Sequence, residues 1–164
     1  MISFRFAARE WALPCLAILA STACFAKATV VTLSELTKQS TVIVYGTIAQ
    51  GSPSSESQTS VWVAFTPTLT IKGTDAIRGG KIELCNTRPN TEWPDLSKMQ
   101  DNVVLFLSKK DGCFNLSHNY RSVVRVSDAR AQTGEIKGQP DDQPLDEFLG
   151  RLKSLVSVQK HGGH

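Results

Sequence analysis

The sequence predicts a mainly β protein, built as a small five-stranded Greek-key barrel with a short helix before it and an amphipathic helix after it. Runs of alternating apolar residues recur between residues 42 and 127, turn-forming residues separate these runs, and a helical repeat follows near the C-terminus. Alternation with a period of two is typical of half-buried strands, and several short strands joined by turns are typical of barrels and sandwiches.

Residues 1–28 are interpreted as a signal peptide. Arg5 and Arg9 precede an apolar run of about half the length that a membrane span needs, and small residues stand where signal peptidase requires them. Cleavage between Ala28 and Thr29 is therefore predicted. The mature protein is expected in the periplasm of a bacterium or in its medium.

Cys24 offers an alternative, in which the chain is processed as a lipoprotein and serves as a structural envelope protein. Removal of the leader takes away three basic residues and one acidic residue, so the formal net charge falls from +3 to +1. A chain this close to neutral gives no electrostatic reason to expect nucleic acid or an anionic membrane as a partner. No other apolar run approaches the length of a membrane span.

The mature chain opens with a helix signal at 32–40 and continues directly into a strand. Thr32 and Glu35 have the spacing of a capping box, in which each side chain bonds the other's backbone N–H. The strand that follows is apolar on both faces, which predicts a central strand covered on both sides. One face carries Val42, Val44 and Ile48, and the other face carries Ile43, Tyr45 and Ala49.

Further strand signals follow along the chain. The second alternates from Val61 to Ile71 and contains Pro67, which predicts a bulge or an edge because proline cannot donate to the ladder. The third carries Ile82 and Leu84 inward. The remaining runs are 103–107 and 114–116, joined by an Asp111-Gly112 turn signal, and 121–127.

These elements fit a barrel of the OB type over residues 29–128. Residues 129–144 are polar and rich in turn formers, which predicts a flexible linker. Residues 145–158 repeat leucine and phenylalanine at three- and four-residue steps, which predicts a helix packed on the barrel. Residues 159–164 are predicted to be a frayed tail.

The chain resembles bacterial exported proteins with OB or netrin-like (tissue-inhibitor-of-metalloproteinase-like) barrels. The features that carry the resemblance are the opening "LSELTKQSTVIVYGTI", the strand end "LTIKG", the buried "VVLFL" and the glycine-containing hairpin after it. The resemblance covers about residues 33–127 and implies an extracytoplasmic barrel. Metalloproteinase inhibitors of this fold chelate zinc through a free N-terminal cysteine. Here the predicted first residue is Thr29, and only cleavage before Cys24 would supply such a terminus.

Cys85 and Cys113 remain after leader removal and are predicted to form a disulfide, because an exported chain meets an oxidising compartment. Closing a loop of this size would stabilise the fold by about 3–4 kcal/mol in the chain-entropy model. The alternative is a metal-dependent or thiol hydrolase that uses these cysteines with His118 at the barrel mouth. A structural zinc site requires four ligands, commonly as pairs of cysteines or histidines close in sequence, and no such pair of cysteines occurs.

The loop 86–101 is the candidate binding site. It contains Arg88 and Trp93, which are residue types enriched in interface hot spots, together with Asn90 and Glu92. Long ordered loops on small domains often carry function. The sequence has no serine nucleophile elbow, phosphate-binding glycine loop or zinc-protease motif.

The predicted function is therefore a non-enzymatic binding or protein-interaction module without a cofactor. Its partner would be an extracytoplasmic protein or a small ligand, and inhibition of an extracytoplasmic enzyme is one such role.

The cysteine and leader hypotheses predict the mass of the purified native protein. We expect a chain that begins at Thr29 and is lighter by two hydrogen atoms than its reduced form, because one disulfide forms between Cys85 and Cys113. Intact-mass spectrometry with and without reduction measures both. Alkylation of two thiols without reduction would contradict the disulfide, and a lipidated Cys24 would contradict the cleavage site.

Overall fold

A computed structural model describes residues 30–48, 63–77, 82–84, 96, 99, 101–110 and 112–161. The mainly β class, with a short helix near the N-terminus and a helix at the C-terminus, is confirmed. Within the described stretches, 3₁₀ turns lie at Thr74–Ala76 and Tyr120–Ser122. The helices and strands, in chain order, are α1 (Leu33–Gln39), β1 (Val42–Ile48), β2 (Val63–Lys72), β3 (Ile82–Leu84), β4 (Asn102–Lys110), β5 (Cys113–Leu116), β6 (Val123–Ser127), β7 (Arg130–Gln132), β8 (Asp142–Pro144) and α2 (Leu145–His161).

Helix α1 begins where the capping box predicts. Glu35 N donates to Thr32 Oγ1 over 3.2 Å, and Thr32 N donates to Glu35 Oε2 over 2.8 Å. The backbone hydrogen bond from Thr32, followed by the bond from its hydroxyl, holds the pKa of Glu35 below its usual value. The box thus satisfies two backbone donors that the first helical turn would otherwise leave without partners.

The eight strands within the described residues join one sheet. Strand β1 pairs with β2 on one edge and with β4 on the other, β2 pairs with β3, and β4 pairs with both β5 and β6. All these pairs are antiparallel, whereas β3 and β5 run parallel and meet at Leu84 and Phe114. Strands β6, β7 and β8 follow one another as an antiparallel extension.

A bulge at Pro67 is confirmed. Tyr45 pairs with Leu69 but Gly46 pairs with Pro67, so Thr68 has no partner on β1. A Cβ at Gly46 would stand 2.2 Å from the carbonyl oxygen of Thr66, so only glycine allows the two backbones to approach this closely.

The bulge corrects one prediction about β2. An extra residue reverses the alternation beyond it, because side chains on a strand change face at every residue. Phe65 packs in one hydrophobic cluster and Ile71 in the other, although the alternation predicted a shared face. Ile71 itself is skipped at a second register shift, between the Val44–Thr70 and Ile43–Lys72 pairs.

The sheet separates two hydrophobic clusters. The inner cluster joins alternate residues of β1 to β5, together with Leu96 and Met99 from the region predicted as a long loop. The outer cluster packs the opposite face of β1, β4 and β6 against α1 and α2. Strand β1 contributes Val42 and Val44 to the first and Ile43 to the second, as the two apolar faces of its sequence predict.

The prediction of a flexible linker at 129–144 was wrong, since β7 and β8 lie there and give the described sheet more strands than the predicted five. The segment buries two polar side chains, since Thr133 is 0% exposed and Gln143 is 3% exposed. Gln143 Nε2 donates to Thr133 Oγ1 over 3.0 Å, and that hydroxyl donates to the carbonyl oxygen of Pro140 over 2.7 Å. These hydrogen bonds let Thr133 and the amide nitrogen of Gln143 enter the core without an apolar pattern, although Gln143 Oε1 is buried there without a hydrogen-bond partner.

Helix α2 is longer than predicted. It reaches His161, so three residues of the predicted tail are helical, and it buries Phe148, Leu152 and Val156. Lys72 on β2 ties the two helices together, because its ammonium donates to the Thr37 carbonyl oxygen over 2.7 Å and to Gln159 Oε1 over 3.3 Å. No helix among the described residues is long and apolar enough to cross a membrane.

A strained turn joins β6 to β7. Ser127 pairs with Arg130, and the two residues between them, Asp128 and Ala129, have φ angles of 50° and 58°. A two-residue hairpin turn with both φ angles positive is of type I′, which favours glycine at its second position. Alanine there carries steric strain between its Cβ and the backbone.

Replacing Ala129 with glycine should therefore raise the free energy of unfolding by about 0.5–1 kcal/mol, the relief of strain less the added backbone entropy of glycine. Urea unfolding followed by circular dichroism measures the change. The matched control is Gly112→Ala, because Gly112 has a φ of 87° and a Cβ there would meet nothing within 4 Å. That variant should lose stability, and an Ala129→Gly protein no more stable than the parent would refute the strain.

Candidate functional site

A cleft of about 570 Å³ opens on the sheet extension, at the point where the inner cluster reaches the surface. We call it the β6–β8 cleft. Its volume lies within the range of small-molecule sites. The described residues that line it are Met99, Tyr120, Val123, Arg125, Gln132, Gly134, Glu135 and Asp141.

The floor of the β6–β8 cleft is apolar. Val123 is half-buried and packs against the inner cluster, of which Met99 is a member with 8% of its surface exposed. Met99 N donates to the Leu96 carbonyl oxygen over 3.1 Å, and Leu96 is fully buried. The end of the predicted binding loop 86–101 is thereby anchored in the core and placed beside the cleft.

One wall is the 3₁₀ turn that carries Tyr120 and Arg121. The side chain of Asn119 caps the turn by accepting from Arg121 N over 3.2 Å. The Arg121 guanidinium lies 4.5 Å from the centroid of the Tyr120 ring, a cation–π distance, and only 8% of Arg121 is exposed. Tyr120 is therefore held by a rigid neighbour, which fixes the orientation of the one aromatic ring among the described lining residues.

The opposite wall is the turn that connects β7 to β8. The Asp141 carbonyl oxygen accepts from Thr133 N over 2.8 Å and from Gly134 N over 3.0 Å. A Cβ at Gly134 would stand 2.9 Å from Asp141 Oδ1, so the absence of a side chain lets this carboxylate lie against the turn. The backbone thus positions Asp141 and the neighbouring Glu135 at the rim.

The lining residues carry charges of both signs. Arg125 on β6, Glu135 and Asp141 are exposed, and within the described residues none of their side chains makes an ion pair or a hydrogen bond. The adjacent Arg130 and Asp142, by contrast, are paired, with Arg130 Nη2 3.0 Å from Asp142 Oδ1. The hydrogen bond from Arg130 lowers the pKa of Asp142, and the same contact raises the pKa of Arg130.

A second cavity of about 400 Å³ lies between α1, α2 and the Lys137–Gln139 turn. Two cationic residues, Lys137 and Arg151, line it, and Arg151 is already bonded to Glu147 Oε1 over 2.9 Å and to Gln139 Oε1 over 3.1 Å. Because the Arg151 guanidinium has intramolecular partners, this cavity offers a ligand fewer unsatisfied groups than the β6–β8 cleft does.

The predicted binding residues Arg88, Asn90, Glu92 and Trp93 lie outside the described residues, as do the cleavage site Ala28–Thr29 and Cys24. Within their loop, the structure describes Leu96, Met99 and Asp101.

The predicted disulfide also involves a residue outside the described part of the chain, Cys85. The described neighbours of the two cysteines are adjacent, because Leu84 pairs with Phe114 across β3 and β5. Cys113 opens β5, whereas His118 lies two residues beyond its last residue. Three residue steps of strand alone span about 10 Å, so Cys113 and His118 stand at opposite ends of β5 rather than in one site.

The His118 ring nitrogen Nδ1 lies 3.2 Å from Asn119 Oδ1, within the turn itself. Among the described residues, no group of three histidine, cysteine, aspartate or glutamate side chains is placed to hold a metal ion.

The sequence did not single out the residues that line the β6–β8 cleft. Tyr120 precedes the strand predicted at 121–127 and Arg125 lies within it, whereas Gln132, Glu135 and Asp141 stand in the segment predicted as a linker. The available signal was weak: a polar segment with a single isoleucine, Ile136, which is 2% exposed and anchors the turn.

No protein-family profile and no curated protein sequence matches this chain. The site therefore has to be judged from its own geometry and chemistry.

Proposed function

We propose that the protein is an exported binding module, stabilised by a disulfide between Cys85 and Cys113, and that the β6–β8 cleft is its ligand-binding site. The observation that carries the proposal is the composition of the cleft. An apolar floor, one oriented aromatic ring and three charged groups without described partners converge on a cavity of ligand size. Charged groups without partners are available to a ligand, whereas paired ones must first be separated.

A closed five-stranded OB barrel is the proposed scaffold. Its support is the cycle of strand pairs, which runs from β1 through β2, β3, β5 and β4 and returns to β1. Strands β6 to β8 would then be an addition to the barrel, and the cleft would lie where this addition meets the barrel mouth.

The loop 86–101 is proposed as the second contact of the same module. Its described residue Met99 lines the β6–β8 cleft, so the loop leaves the core at the border of the site. Arg88 and Trp93 are the loop residues proposed to contact a ligand or a partner protein. The proposal also includes cleavage of the leader after Ala28, a disulfide between the two cysteines and a location outside the cytoplasm.

Filling the β6–β8 cleft should abolish ligand binding without unfolding the protein. Gln132→Trp introduces a large side chain from an exposed position in the lining. We expect fragments found in a small-molecule library by ligand-observed NMR to bind this variant at least tenfold more weakly, a loss of about 1.4 kcal/mol.

The matched control is Lys153→Trp, an exposed position of α2 that is not among the lining residues. It should bind the same fragments as the parent protein does. Circular dichroism checks that both variants fold. Equal binding to the parent and to folded Gln132→Trp, or a library without any hit, would refute the cleft as the site.

A further inference from the structure

The unpartnered charges of the β6–β8 cleft are separated, which restricts the ligands that can satisfy them together. Val126 pairs with Ala131, and Gln132 pairs with Asp142. Continuing the first register places Arg125 opposite Gln132, so Arg125 and Asp141 belong to strands that are two spacings apart. Two spacings amount to about 10 Å. One compact ion cannot contact both ends of such a site.

The two ends carry opposite charges. Arg125 presents a guanidinium on β6, and Asp141 and Glu135 present carboxylates on the turn across the cleft. A guanidinium binds carboxylates through two parallel hydrogen bonds, and a pair of carboxylates suits an ammonium group. An extended peptide rises about 3.4 Å per residue, so a span of about 10 Å accommodates two or three residues.

Gln132 of β7 lies between the two ends, and the same cleft is also lined by apolar and aromatic side chains. Met99 and Val123 form the floor, and the Tyr120 ring stands beside them with the Arg121 guanidinium stacked on it. A ligand that covers this floor excludes water from the charged groups. Electrostatic attraction then strengthens, because the local dielectric constant falls. The charges are exposed in the free protein, so this gain arises on binding.

We propose that the β6–β8 cleft binds short peptides with free termini, with Arg125 receiving the carboxylate and Asp141 and Glu135 receiving the ammonium group. The apolar floor and Tyr120 contact the side chain between them. This inference rests on the proposed function and names the ligand class of the same site. The three charged residues make no ion pair within the described part of the chain, whereas Arg130 and Asp142, on the same extension, are paired.

The test compares Ala-Phe with its N-acetylated and its C-amidated forms by isothermal titration calorimetry. The titrated protein is that purified after expression of the full coding sequence. Free Ala-Phe should bind, and each capped form should bind at least tenfold more weakly. Arg125→Gln should abolish the discrimination against the amide, and the double variant Glu135→Gln, Asp141→Asn should abolish the discrimination against the acetyl group. Lys153→Gln, an exposed position of α2 outside the lining, is the control and should change neither preference.

Equal binding of the free and capped dipeptides would overturn the inference, and so would failure of all three to bind the folded protein. If the dipeptides fail but library fragments lose affinity in Gln132→Trp, the cleft stands as the binding site and only the ligand class is wrong. If Gln132→Trp does not weaken fragment binding either, the proposed function itself is refuted.

Discussion

The rest of the structure depends on strand β1, which is buried on both faces and paired on both edges. Val42, Ile43 and Val44 are each 0% exposed, and the strand lies between β2 and β4. A slip of one residue would exchange the side chains of the inner and outer clusters, so the register is fixed. Each of these side chains contributes up to about 1.5–3 kcal/mol through burial.

Strand β4 connects the fixed strand β1 to the strands that form the β6–β8 cleft. One edge of β4 pairs with β1, and its other edge is shared between β5 near Leu107–Lys110 and β6 near Asn102–Leu105. The chain must leave the sheet between β5 and β6, and the Tyr120–Ser122 turn makes that excursion. The β6–β8 cleft forms at this break, so its aromatic wall is a direct consequence of how β4 divides its partners.

The sequence predicted what local signals determine. Thr32 and Glu35 gave the start of α1, and Pro67 gave the bulge in β2. It could not predict β7 and β8, because three-residue strands show little alternation and their buried Thr133 and Gln143 are polar. The cleft was missed for a related reason. Pairing between β6, β7 and β8 brings Arg125 and Asp141 to the same cleft, and the sequence of neither segment alone indicates which strands pair.

Amide hydrogen exchange, read residue by residue by NMR, tests the central role of β1 most directly. If β1 holds both clusters in place, the hydrogen-bonded amides of β1 and β4 should exchange only through global unfolding. The amides of β7 and β8 should exchange faster, through local opening of the extension. Amides of β1 that exchange as fast as those of β7 would contradict this account, because the strand would then open without the rest of the protein.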